Sequence, residues 1–238
     1  MNEPESPFWD YLDLLLFALA FAPSLFAGGL LMRALFGGLS LHGAGKAPEL
    51  LAAQFVAYAF WFAFLYGLLR MRYGRPLWAS LGWVRFRERL VERLAAGVAV
   101  ALAVAILGGL LRTPDLDSPM KRLLSDRLSL VLVGVAAATI GPACEELAFR
   151  GFFQPLLVRS MGPALGILLT ALPFAVLHGP EYAWSWRHIL LVTIAGSAFG
   201  WMRHRTGSSA AAAVMHASYN ATFFLALLFS GKDLPAKW

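Results

Sequence analysis

FWDYLDLLLFALAFAPSLFAGGLLMRALF, running from Phe8 to Phe36, decides what kind of protein this is. No charged residue falls between Asp13 and Arg33. The run is therefore long enough to cross a hydrocarbon core roughly 30 Å thick, which takes about 20 apolar residues. Comparable windows follow at about Leu50–Leu69, Leu94–Leu111, Leu128–Val158, Ala164–Leu177, Ile189–Met202 and Ala210–Phe229. The expected architecture is an all-α, polytopic transmembrane helix bundle of about seven spans, roughly six to eight. Residues 1–238 read as one integral membrane domain without internal repeats.

Composition agrees. The chain is 59% hydrophobic, has a mean hydropathy of +0.64 and is 14% charged, where a soluble domain carries roughly 25% charged residues. The net charge of +6 comes mostly from arginine. In a membrane protein, loop arginines answer to the positive-inside bias and the anionic leaflet, so lipid rather than nucleic acid is the expected partner. The single cysteine, Cys144, rules out an internal disulfide. The stretch Met1–Pro7 is acidic and lacks the basic start of a secretory signal, so the first apolar run reads as a retained helix. Arg70, Arg72, Arg75, Arg85, Arg87 and Arg89 form the strongest charge cluster and are expected on the cytoplasmic side. Alternation then places the N-terminus, the turn at Arg159 and the turn at Arg203–Arg205 on that same side. Lys121, Arg122 and Arg127 fall opposite, against the bias.

Ionisable groups inside transmembrane segments are costly and tend to mark function. Three clusters occur in the back half. In Cys144-Glu145-Glu146-Leu147-Ala148-Phe149-Arg150, Glu146 and Arg150 are spaced for a helical ion pair. Glu145 points about 100° away and is left for general acid–base work. Gly141-Pro142 is expected to kink this helix. Cys144 reads as packing rather than a nucleophile. In Phe174-Ala175-Val176-Leu177-His178, Phe174 lies one turn before His178 on the same face. In His216-Ala217-Ser218-Tyr219-Asn220, the imidazole and the amide share a face of the last helix. Each cluster alone fits an ordinary interfacial or interhelical role. Measured from the turns near Ser160 and Gly207, however, Glu145 and His178 lie roughly 22–27 Å deep and Asn220 roughly 20 Å at 1.5 Å per residue, with His216 one turn shallower. A carboxylate, two imidazoles and an amide can then meet inside the membrane as parts of a water-activating hydrolase site.

The ordered triple Glu145-Glu146-x-x-x-Arg150, Phe174-x-x-x-His178 and His216-x-x-x-Asn220 resembles the CPBP family, that is, the type II CAAX prenyl proteases and bacterial proteins related to bacteriocin processing and self-immunity. The likeness covers roughly residues 125–230 and includes the turn at Trp201–Ser208. It implies an intramembrane endopeptidase acting on membrane-anchored or membrane-embedded peptide or protein substrates. Glu145 would be general base, His178 would help to hold the water, and His216 and Asn220 would donate to the oxyanion. Glu146, Arg150 and Phe174 would support them. Catalysis without a metal is the preferred reading, with zinc on Glu145, His178 and His216 as the alternative, because the sequence lacks an H-E-x-x-H helix. The expected location is multi-pass in a bacterial cytoplasmic (inner) membrane. A non-catalytic immunity or scaffold protein of the same fold, and a proton-coupled transporter, are the competing functions. The complete residue set weighs against the first, and the missing inverted repeat against the second.

Overall fold

The computed structural model describes residues 7–39, 46–84, 89–117, 122–124 and 126–230. Within them every regular element is a helix, and there is no β-strand. Its elements are α1 (Tyr11–Gly38), α2 (Lys46–Tyr73), the short α3 (Leu77–Ser80), α4 (Leu90–Leu110), α5 (Arg127–Ala137), α6 (Ile140–Glu146), a π-helix (Leu147–Phe153), α7 (Gln154–Leu177), a 3₁₀ turn (Gly179–Tyr182), α8 (Trp186–Thr206) and α9 (Ser209–Ser230). Five helical stretches are long and apolar enough to cross a membrane: Tyr11–Gly38, Ala47–Tyr73, Leu90–Leu110, Arg127–Leu177 and Ser209–Ser230. Phe26, Leu19, Ile106, Leu102 and Leu165 lie on an exterior that is apolar rather than polar, which suits lipid and would be a liability in water.

The expected fourth and fifth spans form one stretch broken at Gly162, whose φ of 80° only glycine adopts without strain. The legs fold back tightly there: a Cβ on Gly166 would meet the Val158 backbone nitrogen at 2.5 Å. The expected sixth span, Ile189–Met202, lies within α8, which is not among the five apolar stretches. Arg187, Arg203 and Arg205 sit at its ends, and its middle is rich in small and hydroxyl residues that face neighbouring helices.

The kink expected at Gly141-Pro142 appears earlier. The helix stops at Ala138 and restarts after Thr139. Proline has no N–H, and its ring clashes with the carbonyl four residues back. For Pro142 that carbonyl belongs to Ala138, so the break lies where the proline acts. A second departure is the π-helix. The N–H of Gln154 bonds to Phe149, five residues back, and residue 155 is a proline with no N–H to offer. The Arg150 carbonyl is thereby left without a helical donor, and Arg203 Nε donates to it at 3.1 Å.

Chain ends gather as the charge pattern requires. Arg72 pairs with Asp10 and Asp13 at the start of α1. Arg159 donates to the Pro7 carbonyl. Ser209 bonds Leu81 and Gly82 beside the α8–α9 turn. Arg70, Arg72, Arg75, Arg89, Arg159, Arg203 and Arg205 therefore share one end of the bundle, and Arg122 and Arg127 lie toward the other. Arg85, Arg87 and Lys121, and the acidic stretch Met1–Ser6, lie outside the described residues. An aromatic core ties the two halves of the chain. Phe17 stacks on Trp61 at 4.2 Å, and Trp9 stacks on Phe152 while donating to the Phe152 carbonyl. α4 packs on α9 and α7 on α8.

Candidate active site

The site is assembled around a buried charge ladder. Glu146 and Arg150 are fully buried and pair through Oε1 and Nη1 at 2.9 Å, the helical spacing that the sequence offers. Arg150 Nη2 donates to the Gly196 carbonyl at 2.6 Å, and one turn on Gln154 Nε2 donates to Gly200 at 2.8 Å. Small residues in α8 make this possible: a Cβ at Gly196 would stand 3.0 Å from Arg150 Nη2, and one at Gly200 would stand 2.7 Å from Gln154 Oε1. The guanidinium also lies over Phe174, 4.5 Å from the ring centroid, a favourable placement for a desolvated cation.

Glu146 makes a further bond that sequence spacing does not reveal. Its Oε1 lies 3.0 Å from Nδ1 of His216, seventy residues away. With the proton on Nδ1 the ring donates to this carboxylate oxygen, and the contact orients it with Nε2 outward. Phe199 stacks on the same imidazole at 4.4 Å, and Phe174 meets it edge-on. Nε2 of His216 faces Oε2 of Glu145 at 3.9 Å. Unlike Glu146, Glu145 keeps 21% of its side chain exposed, and what it faces is a cavity.

That cavity has a volume of about 560 Å³ and is lined by Glu145, Phe174, His178, His216 and Asn220 together with apolar residues of α2, α4, α5 and α9. Glu146 and Cys144 do not line it, and Cys144 packs against the aromatic core. His178 Nδ1 is bonded to the Phe174 carbonyl at 2.7 Å. A neutral ring with its proton there leaves Nε2 as an acceptor. Asn220 Nδ2 donates to the Ala137 carbonyl at 2.7 Å. Ala137 ends α5, where the last carbonyls lack helical partners, so the break imposed by Pro142 holds the Asn220 amide. All four candidate residues thus share one cavity. The imidazole that pairs with Glu145 is that of His216; among the described residues no ion pair joins Glu145 to His178. Nor do three His, Cys, Asp or Glu side chains among the described residues gather closely enough to hold a metal ion.

Other lining groups escaped the sequence reading: Gln54 of α2, and Glu181, Tyr182 and His188 near the 3₁₀ turn. Thr113, Leu123 and Leu124 line the cavity from the connection after α4, so it extends to the end of the bundle away from the clustered arginines.

Residues 127–222 match the model of the Rce1-like type II CAAX prenyl endopeptidases. No curated protein and no solved structure matches the chain. The Rce1-like segment begins at the first residue of α5, ends two residues past Asn220, and contains every residue of the three motifs. The family so matched is one of CAAX-type prenyl endopeptidases, and the apolar helices make the protein an integral, multi-pass membrane protein. The Gln54 contribution comes from outside the Rce1-like segment.

Proposed function

We propose that this protein hydrolyses peptide bonds of membrane-anchored or membrane-embedded substrates with a water activated by Glu145. The observation that carries the reading is the division of labour between adjacent carboxylates: Glu146 is consumed by Arg150 and His216, whereas Glu145 alone faces the cavity. Water bound beside Glu145 would also donate to Nε2 of His178, whose other nitrogen is occupied. Glu145 takes one proton as the water oxygen bonds to the substrate carbonyl carbon. The resulting oxyanion accepts from Asn220, which has a second N–H besides the one held by Ala137, and from Nε2–H of His216. Since Nδ1 of His216 already donates to Glu146, donation at Nε2 requires the imidazolium. That form also balances Glu145, Glu146 and Arg150 to zero net charge. Collapse of the tetrahedral adduct breaks the C–N bond, and Glu145 returns its proton to the leaving amine. Preorganised donors in a water-poor site stabilise such an oxyanion strongly.

Asn220→Ala is expected to lower turnover by about 10²–10³, the usual cost of one oxyanion donor. Initial rates on a detergent-purified sample, with melting recorded alongside, check this. An Asn220→Ala enzyme within about threefold of wild type would remove the amide from the scheme.

The test of the reading is cleavage of a prenylated peptide ending in a Cys-aliphatic-aliphatic-X box, with a membrane-protein peptide library beside it, before and after exhaustive chelation. Peptide products that vanish in Glu145→Ala and persist after chelation are expected. One tightly held zinc per chain together with chelator-sensitive turnover that added metal restores would instead make Glu145 a ligand.

A further inference from the structure

We propose that Gln54 is a substrate-positioning residue whose free amide edge hydrogen-bonds the backbone of the peptide bound beside Glu145. The inference rests on the protease reading above.

Between Glu49 and Arg70 the α2 sequence is apolar and aromatic, and Gln54 is its one carboxamide. A polar side chain in a membrane helix ordinarily earns its place by bonding to another helix. Gln54 does not: its Nε2 donates at 3.0 Å to the hydroxyl of Tyr58, one turn along the same helix. Among the described residues it makes no other hydrogen bond. One N–H and the carbonyl oxygen of the amide therefore remain unused, and the side chain lines the cavity that holds Glu145, His178 and His216. Tyr58 is buried and lies within electrostatic reach of Glu145, which puts the Gln54–Tyr58 pair on the catalytic side of that cavity.

An amide with one edge pinned and the other free offers a donor and an acceptor side by side. An extended peptide presents the same pair along its backbone, so the two edges are complementary whatever the substrate's side chains. Gln54 is only half-buried, so these groups stay accessible from the cavity, where a bound peptide can meet them. The first half of the chain thus supplies part of the substrate site rather than only hydrophobic bulk.

The test uses the full chain in detergent with the peptide that wild type cleaves and Glu145→Ala does not. Gln54→Leu keeps the volume and removes both polar groups. It is expected to raise KM about three- to tenfold, the scale of one or two net hydrogen bonds, with kcat little changed. Melting should stay level or rise, because leucine suits an apolar helix. Tyr58→Phe, which frees the pinned edge, should raise KM by a smaller factor and carries the test if Gln54→Leu does not fold. In the inactive Glu145→Gln background, Gln54→Leu should weaken binding of the uncleaved peptide by the same factor. Unchanged KM and binding would overturn the inference, as would a loss confined to kcat or tracking a fall in melting. If wild type shows no Glu145-dependent cleavage, the protease reading itself fails. If it does and Gln54→Leu matches wild type, only the role of Gln54 fails.

Discussion

Glu145→Gln is expected to reduce turnover by about 10²–10⁴, the range that a positioned general base supplies, while leaving the fold intact. Both halves of the expectation come from its surroundings. The Glu145 carboxylate reaches the cavity, and its ion-pair contact among the described residues is Nε2 of His216 at 3.9 Å, too far for a direct hydrogen bond. Removing its charge therefore breaks no direct hydrogen bond to a buried group. Glutamine keeps the shape but accepts no proton from water at neutral pH. Single-turnover cleavage, measured with thermal melting in the same detergent, checks the pair of outcomes. A Glu145→Gln enzyme turning over near the wild-type rate would take the base out of the mechanism.

Arg150→Met should have the opposite signature, a large loss of stability. It leaves the fully buried Glu146 carboxylate without its counter-charge and the Gly196 carbonyl without its donor. Breaking one side of a buried pair costs about 3–5 kcal/mol, enough to consume much of a protein's net stability. The double variant Glu146→Leu with Arg150→Met tests the cause, because replacing both members with apolar groups is often near neutral. Folding should largely return. Activity should not, since Nδ1 of His216 then lacks the carboxylate that orients it. Detergent melts and cleavage rates of the two single variants and the double form the cycle. A double variant no more stable than Arg150→Met would show that the ion pair is not what the single variant disrupts.

The Glu146–His216 bond marks where sequence legibility ends. Spacing of three or four residues is readable because a helix fixes it, so Glu146 with Arg150, Phe174 with His178 and His216 with Asn220 can all be paired from the chain alone. The common depth of the three motifs also follows from counting residues between turns. Nothing local records that Glu146 faces residue 216 and Glu145 the cavity, because that depends on how α6 rotates against α9. The break at Ala138 was legible in principle, given that proline acts four residues upstream; Gly141 and Pro142 themselves drew the kink. The π-turn was not, although the proline at 155 left a trace. Gln54 carried a signal of the kind used for the other site residues, a lone polar group in an apolar span. Its companions on α2 offer no motif, and only the cavity shows what it faces.

The π-helix has a consequence for how the two sides of the site face each other. A turn spanning five residues holds one more than the α-helical turn in its place. Winding the same seven residues of Leu147–Phe153 as a regular α-helix would turn everything on one side by about 100° relative to the other, one residue's worth of helical rotation. Glu145 and Glu146 lie before that segment, and Gln154, whose amide is latched to Gly200, lies after it. The carbonyl of Arg150, now clasped by Arg203, would be drawn back toward the helix axis. An α-wound segment of unchanged length would thus keep every motif residue and every apolar span and still present the wrong carboxylate to the cavity. The segment works as a gauge block, setting by its winding the angle at which two otherwise complete halves of a site confront each other.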